Sequence, residues 1–150
     1  MKRGFTFLEL MLTMVLLGIL AAAMVPTTKN IVKRRKETEL RHALMEVRLA
    51  IDRFKKMADE GKIAIGDVRQ LGYPADFDEM IRGVPLKSQP GKFMRFLRRV
   101  PRDPMTGEAE WGMRAVQDEP DATTWGGENL FDIYSLSDGI GLEGTPYSEW

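Results

Sequence analysis

The sequence predicts an α+β protein: a long N-terminal helix, first apolar and then amphipathic, packed against a small antiparallel β-sheet. Three observations predict it. Phe5 to Val25 is a 21-residue run whose single charge is Glu9, long enough as a helix to cross about 30 Å of hydrocarbon. Leu40, Leu44, Val47, Ile51, Phe54 and Ala58 then alternate steps of four and three, the spacing of one helix face. Further on, AEWGMRAV (109–116) and NLFDIYSL (129–136) alternate well enough for two strands.

Each element has its local reason. Pro26 lacks an amide hydrogen and is expected to kink or loosen the helix between span and stalk. Gly61, after Ala58-Asp59-Glu60, is a plausible stop for the stalk. A seam this short reads as one face of a domain core rather than a coiled coil. His42, the one histidine, is off the seam and reads as a solvated helix residue. DFDEMIRG (76–83) reads as a short helix, with Asp76 as cap, Glu79 at capping-box spacing and Gly83 as stop. Its Phe77, Met80 and Ile81 should face inward. VPLKSQPG (84–91) reads as a loop. Phe93, Phe96, Leu97 and Val100 fit a helical turn or a strand, with Arg98 and Arg99 outward. DPMTG (103–107) is a turn. Trp111, Trp125 and Trp150 read as packing residues, because a small core needs large apolar side chains.

Composition narrows the function classes. The net charge is zero, yet residues 1–102 carry 21 basic against 11 acidic side chains, and residues 103–150 carry Arg114 against 11 acids. An acidic half repels phosphate, which argues against a general nucleic-acid binder. Such a dipolar chain could meet neighbouring copies base to acid, or simply carry separately solvated faces. The absence of cysteine excludes disulfides, thiol catalysis and Cys-ligated zinc. With a lone histidine and no phosphate-cradling glycine motif, nothing nominates an enzyme.

Glu9 decides between three readings of the N-terminus. A secretory signal would use Lys2 and Arg3 as its basic start and Ala21-Ala22-Ala23 as its cut site. A carboxylate early in a discarded signal serves no purpose. A plain anchor leaves Lys29, Lys33, Arg34, Arg35 and Lys36 after the span and two basic residues before it, so the positive-inside bias would hold the C-terminal part in the cytoplasm. The third reading starts from KRGFTFLEL (2–10), which resembles the processing motif of type IV prepilins and pseudopilins: a basic leader ending in Gly4, then Phe5, then Glu9. The resemblance implies that a prepilin peptidase cuts between Gly4 and Phe5 and N-methylates the new amine. Pro26 stands where that family commonly has a proline. The amine of one subunit could then neutralise Glu9 of its neighbour and set the stagger of assembly, since a paired buried charge is tolerable and a lone one is costly.

The remainder narrows the resemblance. LRRVPRDPMTG, EWGMR and FDIYSLSDG look like the C-terminal part of the major pseudopilin (the G type) of type II secretion systems. That likeness implies a pilin-like spine and an acidic C-terminal loop that binds calcium, here with Leu136, Ser137, Asp138 and Glu143 as candidate ligands. It also implies four parts: leader 1–4, transmembrane and assembly segment 5–26, stalk 27–61 and periplasmic head 62–150. The implied function is mechanical. The chain would polymerise into a pseudopilus that helps export folded proteins across the outer membrane, held single-pass in the bacterial inner membrane with its head in the periplasm. The implied partners are further copies, minor pseudopilins, the inner-membrane assembly platform, the prepilin peptidase and the membrane, with no nucleic acid. The rival readings are a type IV pilus subunit for adhesion, motility or DNA uptake, and an anchored periplasmic binding or catalytic module.

Overall fold

The computed structural model describes residues 4–150, and of residues 23–29 the backbone alone. Helix α1 spans Phe7–Asp59. The chain divides into two compact units, Met1–Arg35 and Lys36–Trp150, so α1 contributes to both. Pro26, the expected kink, falls in 23–29 and its side chain lies outside the described residues.

In the first unit the apolar residues of α1 find no interior among the described residues. Phe7, Met14, Leu17 and Leu20 are 80%, 71%, 64% and 60% exposed, and the residues between them are exposed as well. A helix that is apolar on every side is stable only when lipid or other helices cover it. Among the described residues no helix is long and apolar enough to cross a membrane. The run expected to do so extends into 23–25, and its described helical part, 7–22, rises about 24 Å at the helical pitch.

The second unit has a core of its own, and the stalk seam is its floor. Leu40, Leu44, Val47, Ile51, Phe54 and Ala58 are all buried, while His42 on the other face is exposed. The helix stops as expected. Gly61 takes φ 68°, which an L-residue adopts reluctantly, and the Lys62 amide turns back to the Met57 carbonyl at 3.0 Å. Helix α2 spans Phe77–Arg82, and the Asp76 carboxylate accepts the Glu79 amide at 2.8 Å. The reciprocal bond is displaced: the Glu79 carboxylate takes the Ala75 amide at 2.6 Å. Met80 is fully buried, with Phe77 and Ile81 packed beside it.

Two segments depart from expectation. Val84–Pro85, read as loop, is strand β1, paired antiparallel with β2 at Phe93–Met94. Proline is tolerated there because a two-stranded ribbon is all edge. Phe93 is 63% exposed instead of inward. The residues that do turn in are Phe96, whose ring lies 4.9 Å from that of Phe54, and buried Leu97. Both of their amides donate to the Met80 carbonyl, at 2.9 and 3.2 Å, which draws the segment across the end of α2 and prevents a helical turn.

The two strands read from alternation both form. β3 (Gly112–Arg114) and β4 (Asp132–Tyr134) pair antiparallel with Gly112 opposite Tyr134. The Tyr134 ring lies across Gly112, so a Cβ there would come within 2.1 Å of it. The sheet is therefore two short ribbons rather than one. Asp103 is fully buried: its carboxylate accepts the Met105 amide at 2.7 Å and the Ser135 hydroxyl at 2.5 Å. The DPMTG turn is thereby tied to the end of β4.

Phe54→Ala should lower the unfolding free energy by about 3–5 kcal/mol, and His42→Ala should change it by less than about 0.5 kcal/mol. Denaturant titration of the detergent-solubilised chain measures both. Equal losses would contradict the assignment of the seam as the floor of the core.

Candidate functional site

Two regions carry the residues that the sequence singled out, one in each unit. In the first, Gly4 to Thr6 precede α1 in non-helical backbone, and Gly4 and Phe5 are exposed. The Gly4-Phe5 bond is thus accessible, outside any helix or strand. Helix α1 then starts on Thr6, whose hydroxyl accepts the Glu9 amide at 3.3 Å. Glu9 thus occupies the third helical position, where a carboxylate also meets the positive end of the helix dipole. Its own carboxylate is exposed and has no hydrogen-bond or ion-pair partner among the described residues. Thr-x-x-Glu is a helix-start signature that explains why a helix begins here. It does not explain why a carboxylic acid is placed amid apolar neighbours.

In the second unit, the C-terminal loop is clamped to α1 by charged groups. Glu37 is buried on the helix, and its Oε1 accepts the Leu142 amide at 2.8 Å and the Tyr147 hydroxyl at 3.0 Å. Arg41 lies 3.3 Å from the Glu143 carboxylate and 4.6 Å above the Trp150 ring. Arg48 grips both carboxylate oxygens of Asp132, at 2.7 and 3.3 Å. It also donates to the carbonyls of Ile133 at 3.2 Å and Trp150 at 2.7 Å. One guanidinium therefore joins the stalk, β4 and the C-terminal residue. Bidentate, charge-assisted bonds of this kind are the stronger ones in proteins. Within the loop, the Gly141 amide reaches the Thr145 carbonyl at 2.8 Å, and the Tyr147 ring meets that of Trp150 edge-on at 5.1 Å.

The four candidate calcium ligands lie along this loop. Leu136 and Asp138 are exposed, and Ser137 is half-buried with its hydroxyl accepting the Gly139 amide at 3.3 Å. Glu143 faces Arg41, so one of the two carboxylates is committed to a guanidinium. Among the described residues no three His, Cys, Asp or Glu side chains gather into a metal-holding group. A calcium ion wants several oxygens turned to one point, and this arrangement fits it poorly.

Sequence reasoning missed Glu37, Arg41, Arg48 and Asp103. For Glu37 the signal was present: it stands three residues before Leu40, a charge in a seam position. Arg41 and Arg48, two turns apart beside the seam, gave a weaker one.

Residues 1–25 match the prokaryotic N-terminal methylation motif. The match supports a type IV pilin-like protein. Such a motif implies prepilin-peptidase processing and polymerisation, and it suggests membrane anchoring. No curated protein and no solved structure matches the chain.

Burial first, and the adjoining Glu37 carboxylate second, push the Tyr147 phenol up to about 12. A phenol titrates near 10 when unfolded, so the stabilisation is complete below about pH 10 and fades as pH rises through about 12. Tyr147→Phe should abolish that alkaline dependence, measured as melting temperature from pH 9 to 12. An unchanged alkaline slope in the variant would contradict the Glu37–Tyr147 contact.

Proposed function

We propose that this chain is the major subunit of a type II secretion pseudopilus, a periplasmic filament that helps drive folded proteins across the outer membrane. The observation that carries a filament reading is the apolar, exposed first turns of α1, preceded by an accessible Gly4-Phe5 bond and matched to a methylation motif. Such a surface requires lipid before assembly and neighbouring helices after it. The choice of pseudopilus over pilus rests on the likeness of residues 97–107 and 131–139 to the major pseudopilin, and on a head that closes without a disulfide. The chain is held in the inner membrane by the segment containing 5–26, with residues 62–150 in the periplasm. Its partners are further copies, minor pseudopilins, the assembly platform and the prepilin peptidase.

Cleavage frees the amine of Phe5 in apolar surroundings, and methylation leaves its positive charge in place. Glu9 of an adjacent subunit supplies the counter-charge. A misaligned neighbour would leave both charges buried and unpaired, which is strongly disfavoured. Glu9 therefore sets register, and Pro26 marks the end of the segment that packs.

Mass spectrometry of the N-terminal peptide should find the mature chain beginning at N-methylated Phe5. A chain beginning at Met24 would mean a conventional signal peptide and would end the filament reading. Deleting the gene should block secretion of folded proteins and spare motility and DNA uptake. The opposite pattern would assign a type IV pilus.

Calcium in the C-terminal loop is tested separately. A ligand selective for the native state raises its melting temperature. With Glu37, Arg41 and Arg48 already fixing the loop, calcium and chelator should give the same melting temperature. A calcium-dependent rise that Asp138→Ala removes would establish the ion and overturn this account of the loop.

A further inference from the structure

The head carries a cationic groove with an apolar ridge, and a separate acidic loop of matching character. The groove, about 510 Å³, runs between the outer face of α1 and the segment after β2. Met45 and Leu49 are 60% and 47% exposed along it, although they sit on a helix whose other face is the floor of the core. Arg53 and Arg98 border it, with Glu46 as the one acid. Both arginines are exposed, and among the described residues neither makes a hydrogen bond or ion pair. Exposed apolar side chains beside unpaired cations suit a partner with an apolar tip and acidic flanks.

Residues 116–121 have that chemistry. Val116 is 41% exposed, and Glu119 and Asp121 are exposed with no side-chain partner among the described residues. The loop is held ready. The Asp118 carboxylate accepts the amides of Ala115 at 2.7 Å and Gly126 at 3.1 Å, and buried Asn129 accepts the Val116 amide at 3.1 Å. A preformed loop loses little conformational entropy on docking.

We propose that the 116–121 loop of a second copy of this chain docks in the Met45–Leu49 groove, Val116 against the ridge, Asp121 against Arg98 and Glu119 against Arg53. Groove and loop are different surfaces, so the contact is heterologous, and repeating it builds an open filament rather than a closed dimer. The inference rests on the filament reading and names one contact within it. The opposed charges of residues 1–102 and 103–150 favour this pairing and disfavour groove-to-groove contact.

The chain has no cysteine, so introduced thiols report alone. Leu49→Cys and Val116→Cys versions of the full chain, differently tagged, are co-expressed and mildly oxidised in membranes. A mixed 49–116 adduct is expected. Arg98→Glu or Asp121→Arg should each cut its yield about fivefold, and the two together, one on each chain, should restore it, as complementary charges require. Melting temperatures near that of the unsubstituted chain show that the variants fold. Filaments that form without the 49–116 adduct, or adducts joining 49 to 49, overturn the contact while leaving the filament reading intact. A loss with Arg98→Glu that Asp121→Arg does not rescue also overturns it, and assigns the cations to an anionic membrane surface. The adduct without filaments would keep the contact and remove the filament reading.

Discussion

From Phe7 to Ala22 helix α1 has no interior to turn toward, and the rest of the architecture depends on that. From Phe7 to Leu20 its apolar side chains stand exposed around the whole helix, with one carboxylate among them. A soluble domain hides such surface against its own core. This chain has a core, but it begins at Leu40 and is complete without the N-terminal segment. The apolar segment is therefore left uncovered by the chain's own core, and lipid and other copies are the cover we propose for it. Among the described residues nothing pairs with its single carboxylate, and an ionisable group at membrane depth calls for a partner.

The head solves a different problem, which is how to fix a thin domain with two ribbons of two strands each and no disulfide. Short ribbons contribute little by themselves. Stability comes from the helix seam, and order comes from polar ties between distant parts of the chain. Arg48 joins the stalk to β4 and Trp150, Glu37 joins it to the C-terminal loop, and Asp103 joins the DPMTG turn to Ser135. Each tie is buried or half-buried and satisfied, the condition under which polar groups specify a fold rather than weaken it.

Much of this was legible in the sequence. Periodicity located the seam, alternation located β3 and β4, and the stop at Gly61 and the cap at Asp76 followed from backbone chemistry. The β1–β2 ribbon was not legible, because two residues carry no alternation and one of them is proline. Phe93 misled for a related reason: inward direction there is set by amides bonding to Met80, a long-range contact. The methylation motif of residues 1–25 could be read locally, since it is a linear pattern. The clamp on the C-terminal loop could not, because Glu37 and Arg48 find their partners about a hundred residues away. Arg41 likewise meets Glu143 from far along the sequence.

The central claim is that the charge of Glu9, rather than its place at the helix start, organises assembly. Glu9→Gln separates the two, because glutamine serves the same position of a capping box. The measurement is crosslinking of assembled subunits in cells, with processed protein held at equal levels. The account predicts normal insertion, since a neutral side chain is cheaper to place in lipid, normal cleavage at Gly4-Phe5, and lost or disordered filaments, with Glu9→Lys worse still. Normal filaments from the Gln variant would contradict it.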